Sequence, residues 1–254
     1  MGGRGSSSGG GNDPPVDPPV DPDNPQNWTL SQLQSYLNTT GDNATTIKSK
    51  TTDWINANKS QTTTRLQEHY MPSPQDFYAI SSPGLPTILF PPDKASEAAK
   101  TIIALSKSYS TLPDALKSTL DKIVLTTKPG TDNVAGASGG GANGDIVVYD
   151  ADLSVSMLAH ELAHNLAKAK YGNITPPYNE EGTDGYYEDG SSDYGNAVNS
   201  SEPPVDAFRA RDNPAEDFAQ AVRMYVDNPA QLQRIAPLRY AVIHRLMTDP
   251  SYTG

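Results

Sequence analysis

Ser154-Val-Ser-Met-Leu-Ala-His160-Glu161-Leu-Ala-His164-Asn-Leu-Ala-Lys-Ala-Lys-Tyr-Gly172 is the stretch on which the fold turns. Asp152 or Ser154 can cap the start of a helix, Gly172 can stop it, and the residues between keep helical spacing. Leu158, Leu162 and Leu166 recur every four residues and mark a buried stripe. His160 and His164 are also four apart, so they project together from another face, one turn from each other. Two imidazoles placed this way can share one ion. A merely solvated face would favour Lys and Glu over the Ala and His found here.

With no cysteine in the chain, a metal must be held by His, Asp or Glu. A catalytic zinc ion takes three protein ligands and keeps one position for water, so this helix would supply two of the three. Glu161 follows the first histidine, and a rotation of about 100° per residue sets its carboxylate beside the water instead of on the metal. That is the position of a general base, which can take the water's proton and later return it to a leaving amine. The expected activity is hydrolysis of peptide bonds with one zinc ion per chain. The other histidines, His69 and His244, are isolated and read as capping or surface residues.

The third ligand has to come from a distant segment. Ala167 and Lys170 stand where the metzincin pattern requires Gly and His, which excludes that class. Asn213-Pro-Ala-Glu216-Asp217-Phe218 opens a second helix, with Phe218, Ala221, Val222 and Tyr225 at helical spacing. Glu216 in its first turn can reach the histidines if the two helices lie side by side. Asn213 and Glu216 also have the spacing of a capping box, in which Glu216 would serve its own helix. Asp217 is a candidate partner orienting one of the histidines. Gly190-Ser-Ser-Asp193 offers an alternative, since it loosely echoes the Gly-Thr-x-Asp motif of aspzincins and would make Asp193 the ligand. The acidic run around Asp184, Glu188 and Asp189 lacks the EF-hand arrangement and reads as a solvated loop rather than a calcium site.

His160-Glu-Leu-Ala-His164, followed some fifty residues later by Glu216-Asp-Phe-Ala-Gln220 and a Pro-punctuated helical tail, resembles the catalytic domain of the anthrax lethal-factor and Pro-Pro endopeptidase family of gluzincins. The resemblance covers roughly residues 75–248, with the two motif helices its specific part. It implies that Glu216 is the third zinc ligand. The family also places a transition-state tyrosine seven residues before that glutamate, where this chain has Arg209. The oxyanion donor is thus open among Tyr187, Tyr194 and Arg209. If the Pro-Pro specificity carried over, the leader's own Pro-Pro-Val repeats would be a candidate substrate.

Outward from these helices, Thr87 to Phe90, Lys122 to Thr126 and Ile146 to Tyr149 read as strands, and Asp93 to Tyr109 and Leu112 to Leu120 as helices. The run Gly136 to Gly144 is too glycine-rich for regular structure. The expected fold is α+β: a zincin-like domain at 73–254 with a small mixed sheet, the active-site helix under it and a helical C-terminal half. Ile146 to Tyr149 is expected as the edge strand that pairs with an extended substrate. Residues 28–72 read as a helical accessory region whose thin apolar stripe packs against the later domain.

Residues 1–27 are a Gly/Ser- and Pro-rich leader of a composition that stays disordered. Its opening resembles the segment after the lipidated cysteine of bacterial lipoproteins, so the chain is expected to be secreted or envelope-tethered, with signal sequence and anchor absent here. A tag scar plus linker is the other reading. A net charge of -11 and a pI of 4.7 argue against nucleic acid as a partner, and no apolar run approaches the length of a membrane span. The partners expected are a peptide or protein substrate, acted on by a monomer. A non-enzymatic envelope protein with a vestigial or structural zinc site is the alternative from a different class.

Overall fold

The computed structural model describes residues 21, 23–64, 75–82, 84–126, 136–138, 144–149, 153–171, 193–198, 202, 204–205 and 214–252. The leader before residue 21, the run around Asp184 to Asp189, and His69, Tyr187 and Arg209 lie outside these residues.

Six strands form one mixed sheet in the order β1-β2-β3-β4-β6-β5. They are β1 (Ser60–Thr64), β2 (Gln75–Ile80), β3 (Thr87–Phe90), β4 (Lys122–Thr126), β5 (Gly136–Ser138) and β6 (Ile146–Tyr149). The central strands β3, β4 and β6 are parallel, with Ile88 opposite Ile123 and Val124 opposite Val147. The outer pairings β1/β2, β2/β3 and β5/β6 are antiparallel. Parallel strands lie in the interior of a sheet and are apolar on both faces, which matches Ile-Leu-Phe, Ile-Val-Leu and Ile-Val-Val in the three central strands.

Strand alternation divides these residues between two buried clusters. Ile88, Phe90, Ile123, Leu125, Ile146 and Val148 join the main core with the helices, whereas Phe77, Leu89, Val124 and Val147 form a separate cluster. Three strands lie outside the sequence reading: β2, in a stretch that carries no assignment, and two in stretches read otherwise. The Thr-rich segment β1 extends the sheet within a region read as helical, in keeping with the β preference of Thr. Gly136–Ser138, read as irregular, forms β5 and covers β6. The strand Ile146–Tyr149 is therefore not the edge, and β5 takes that place.

The N-terminal helices α1 (Leu30–Thr39) and α2 (Ala44–Asn58) pack on α3 (Ala95–Ser108). A reciprocal capping box, Thr29 with Gln32, starts α1, and the Trp54 indole donates to the Trp28 carbonyl at 2.9 Å. Leu33, Trp54 and Ile55 enter the same core as α3. After the short α4 (Asp114–Lys117), α5 (Val155–Tyr171) crosses the helical side of the molecule. It is followed by α6 (Asp193–Val198), α7 (Pro214–Asp227), α8 (Pro229–Ile235) and α9 (Pro237–Thr248). Proline occupies the first position of α7, α8 and α9, where its missing N–H leaves no intrahelical bond unmade. Among the described residues, no helix is long and apolar enough to cross a membrane.

Candidate metal centre

Ser154 caps α5, accepting a hydrogen bond from the Met157 amide at 3.0 Å. Leu158, Leu162 and Leu166 are buried as their spacing predicts, and Ala159, Ala163 and Ala167 are buried beside them. Helix α7 packs along α5. Ser156, near the start of α5, donates to Asp227 at 2.6 Å and accepts from Arg223 at 2.7 Å, both near the end of α7. His164, farther along α5, meets Glu216 at the start of α7. The two helices thus run antiparallel along their contact.

This packing closes the centre. His160 Nε2 lies 3.4 Å from Glu216 Oε2, and His164 Nε2 lies 3.4 Å from Glu216 Oε1. The two imidazoles stand nearly perpendicular, with centroids 5.0 Å apart. One donor atom from each of the three residues lies within 4.8 Å of the others, and no other such group occurs among the described residues. Each N···O separation is close to one edge of a tetrahedral zinc site, about 3.3–3.4 Å for arms of about 2.0–2.1 Å, with the two measured to different oxygens of the carboxylate. Two imidazole nitrogens and a carboxylate oxygen are also a donor set suited to zinc.

The histidines hold the Glu216 carboxyl well below the usual carboxylate range. Hydrogen bonding from His160 is the largest cause and that from His164 the second, with burial opposing both. Glu216 is thus a ready anionic donor. Glu161 is buried on α5 and is not part of the donor group.

The structure places the remaining candidates elsewhere. Asp193 accepts a hydrogen bond from Tyr252 and lies 3.9 Å from the Arg245 guanidinium, outside the donor group. Asp217 does not orient a histidine: its carboxylate is turned to Tyr194, Arg239 and the Val205 amide. Tyr194 is fully buried with its hydroxyl on Asp217 at 2.9 Å, and burial, followed by the charge of Asp217, pushes its ionisation well above the usual tyrosine range. It is committed to the interior and offers no donor to an oxyanion. His244 is exposed, as expected, stacked on Tyr240 with Nδ1 2.9 Å from the Tyr225 hydroxyl. A cavity of about 410 Å³ along α7, lined by Gln220, Arg223, Met224 and Gln231 among others, includes none of the three donor residues and is not the metal centre.

Two buried polar residues, one next to His164 in sequence and one paired with Asp217, carry no motif. Asn165 follows His164 and donates to the carbonyls of Gly144 at 3.1 Å and Thr119 at 3.3 Å, tying α5 to the segments that lead into β6 and β4. Arg239 is 2% exposed and pairs with Asp217 at 2.8 Å. A sequence signal existed for Arg239: it stands three, four and seven residues before the buried Val242, Ile243 and Leu246, so a cation begins an apolar helical stripe.

No family model, curated protein or solved structure matches this chain.

Proposed function

We propose that the chain is a zinc-dependent endopeptidase with His160, His164 and Glu216 as ligands and Glu161 as general base. One observation carries this reading: each histidine Nε2 faces a different oxygen of the same carboxylate at 3.4 Å, on a helix that also bears Glu161. A structural histidine–carboxylate pair needs no such three-way convergence, and a closed structural zinc site would use a fourth protein ligand, which the donor group lacks among the described residues.

Zinc, when bound, supplies Lewis acidity that brings the ionisation of a water molecule toward neutrality. Glu161 accepts a proton from the attacking water and returns it to the nitrogen of the departing amine. Glu216 stays anionic throughout the neutral range, because the histidines beside it favour its charged form. An extended substrate would add to the sheet at β5, the outer strand, which packs on α5. Main-chain hydrogen bonds there would hold the peptide whatever its side chains.

The test is metal analysis of the purified full chain together with hydrolysis of casein and a peptide library. One zinc per chain is expected, and Glu161→Gln should keep the metal while lowering hydrolysis by about 10²–10⁴. Bound zinc without hydrolysis of any peptide would overturn the peptidase reading, leaving an envelope-tethered binding protein.

A further inference from the structure

Glu216 is the donor that arrives from outside the histidine helix, so whatever fixes the rotation of α7 decides whether the centre closes. Successive helical side chains differ by about 100° in azimuth, so holding Asp217 in one direction also holds Glu216. Asp217 is 1% exposed. Its Oδ2 accepts from the Tyr194 hydroxyl at 2.9 Å and from Arg239 Nε at 2.8 Å, and its Oδ1 accepts from the Val205 amide at 3.2 Å. Arg239 in turn reaches Glu202 Oε2 at 3.3 Å, and the same Glu202 carboxylate takes the amides of Leu238 and Arg239 at the start of α9. Four parts of the chain thus meet at one buried carboxylate: α6, the segment 202–205, α7 and α9.

Apolar packing alone does not give this control. Phe218, Ala221 and Val222 bury one face of α7, but such contacts are non-directional and tolerate small rotations. A carboxylate held by a guanidinium, a phenol and an amide has a defined direction. Burying an ion pair is also an expensive way to gain stability, since apolar residues of similar volume often serve as well or better. Its advantage here is orientation beside a ligand.

We propose that Arg239 is a positioning residue for the metal centre, acting through Asp217 to set Glu216 against His160 and His164. The inference rests on reading those three residues as metal ligands. Arg239 itself touches neither metal nor substrate.

The test measures zinc affinity by chelator competition, and the visible spectrum of the cobalt-substituted full chain. Wild type is compared with Glu216→Ala, Arg239→Met, the double variant Asp217→Leu/Arg239→Met, and Phe77→Leu in the separate sheet cluster as a stability control. Arg239→Met should weaken zinc binding by about 10–100-fold, the range typical of lost outer partners, and should alter the cobalt spectrum toward that of Glu216→Ala. The double variant removes both buried charges, so it keeps the fold testable if the single variant fails to fold, and it should remain weakened. Phe77→Leu should bind zinc as wild type does despite its loss of thermal stability.

Wild-type affinity and spectrum in a folded Arg239→Met or in the double variant would overturn the positioning role, as would equal weakening in Phe77→Leu. Failure of the ligand reading has a different signature: wild type and Glu216→Ala would then bind zinc equally weakly.

Discussion

Helices α5 and α7 each bear donors of the candidate metal centre, and each follows a donor with a buried polar residue, yet the two are anchored by different chemistry. On α5, neutral Asn165 grips two backbone carbonyls. On α7, Asp217 is held by a buried guanidinium, a phenol and an amide. The contrast follows from how each helix is seated. Helix α5 carries His160 and His164 in its interior, where intrahelical hydrogen bonds on both sides hold the backbone. Helix α7 bears Glu216 in its first turn, where intrahelical hydrogen bonding is incomplete, and a charged anchor compensates. A donor at a helix end needs more directional support than donors in the middle.

The widest separation between the two anchors should come from removing their polar groups. Asp217→Ala leaves Arg239 buried with Glu202 as its remaining carboxylate partner among the described residues and should cost about 3–5 kcal/mol of folding stability. Asn165→Ala removes neutral bonds and should cost about 1–3 kcal/mol. Urea unfolding of both variants decides this, and equal costs would erase the distinction between charged and neutral anchoring.

The α5 side can be probed through Gly144, whose carbonyl accepts from both Asn165 and the Asp121 amide. Its φ of +76° lies in the left-handed region, and an added Cβ would come 2.2 Å from the Thr119 carbonyl oxygen. Gly144→Ala should therefore destabilise by about 1–3 kcal/mol. Combined with Asn165→Ala in the same urea experiment it should be less than additive, because both changes disturb the same junction.

The smallest effect expected is on acid stability, and it belongs to α7. In the metal-free chain Glu216 is held below its unfolded value of about 4.3 by His160 and His164. Its folded form binds a proton less readily than the unfolded chain does, so the stabilisation is fully present above that value and is lost as pH falls below it. Urea unfolding from pH 6 down to pH 3 should show a steeper loss for the metal-free wild type than for Glu216→Gln. Parallel curves would show that the histidines do not favour the Glu216 carboxylate.

Much of the fold was legible because its strongest signals are local. The central strands are short apolar runs bounded by polar residues, and α3, α5 and α7 have clear helical periods. Strands β1 and β5 were not legible. Thr-rich and Gly-rich segments have weak patterns of their own and become strands only where a neighbour offers an unpaired edge. Asp217 stands out in the sequence as a residue near the centre, but its partner does not, since Arg239 lies 22 residues away and on another helix.

By itself the sequence determined that His160, Glu161 and His164 share one helix and that the two imidazoles lie a turn apart, because the helical period fixes neighbours within a few residues. Only the tertiary structure decided that Glu216 and not Asp193 completes the donor group, and that Asp217 turns to Arg239 instead of a histidine. Contacts between segments some fifty residues apart are set by which helix faces bury against each other. In this chain, the packing of α7 along α5 brings Glu216 beside the histidines.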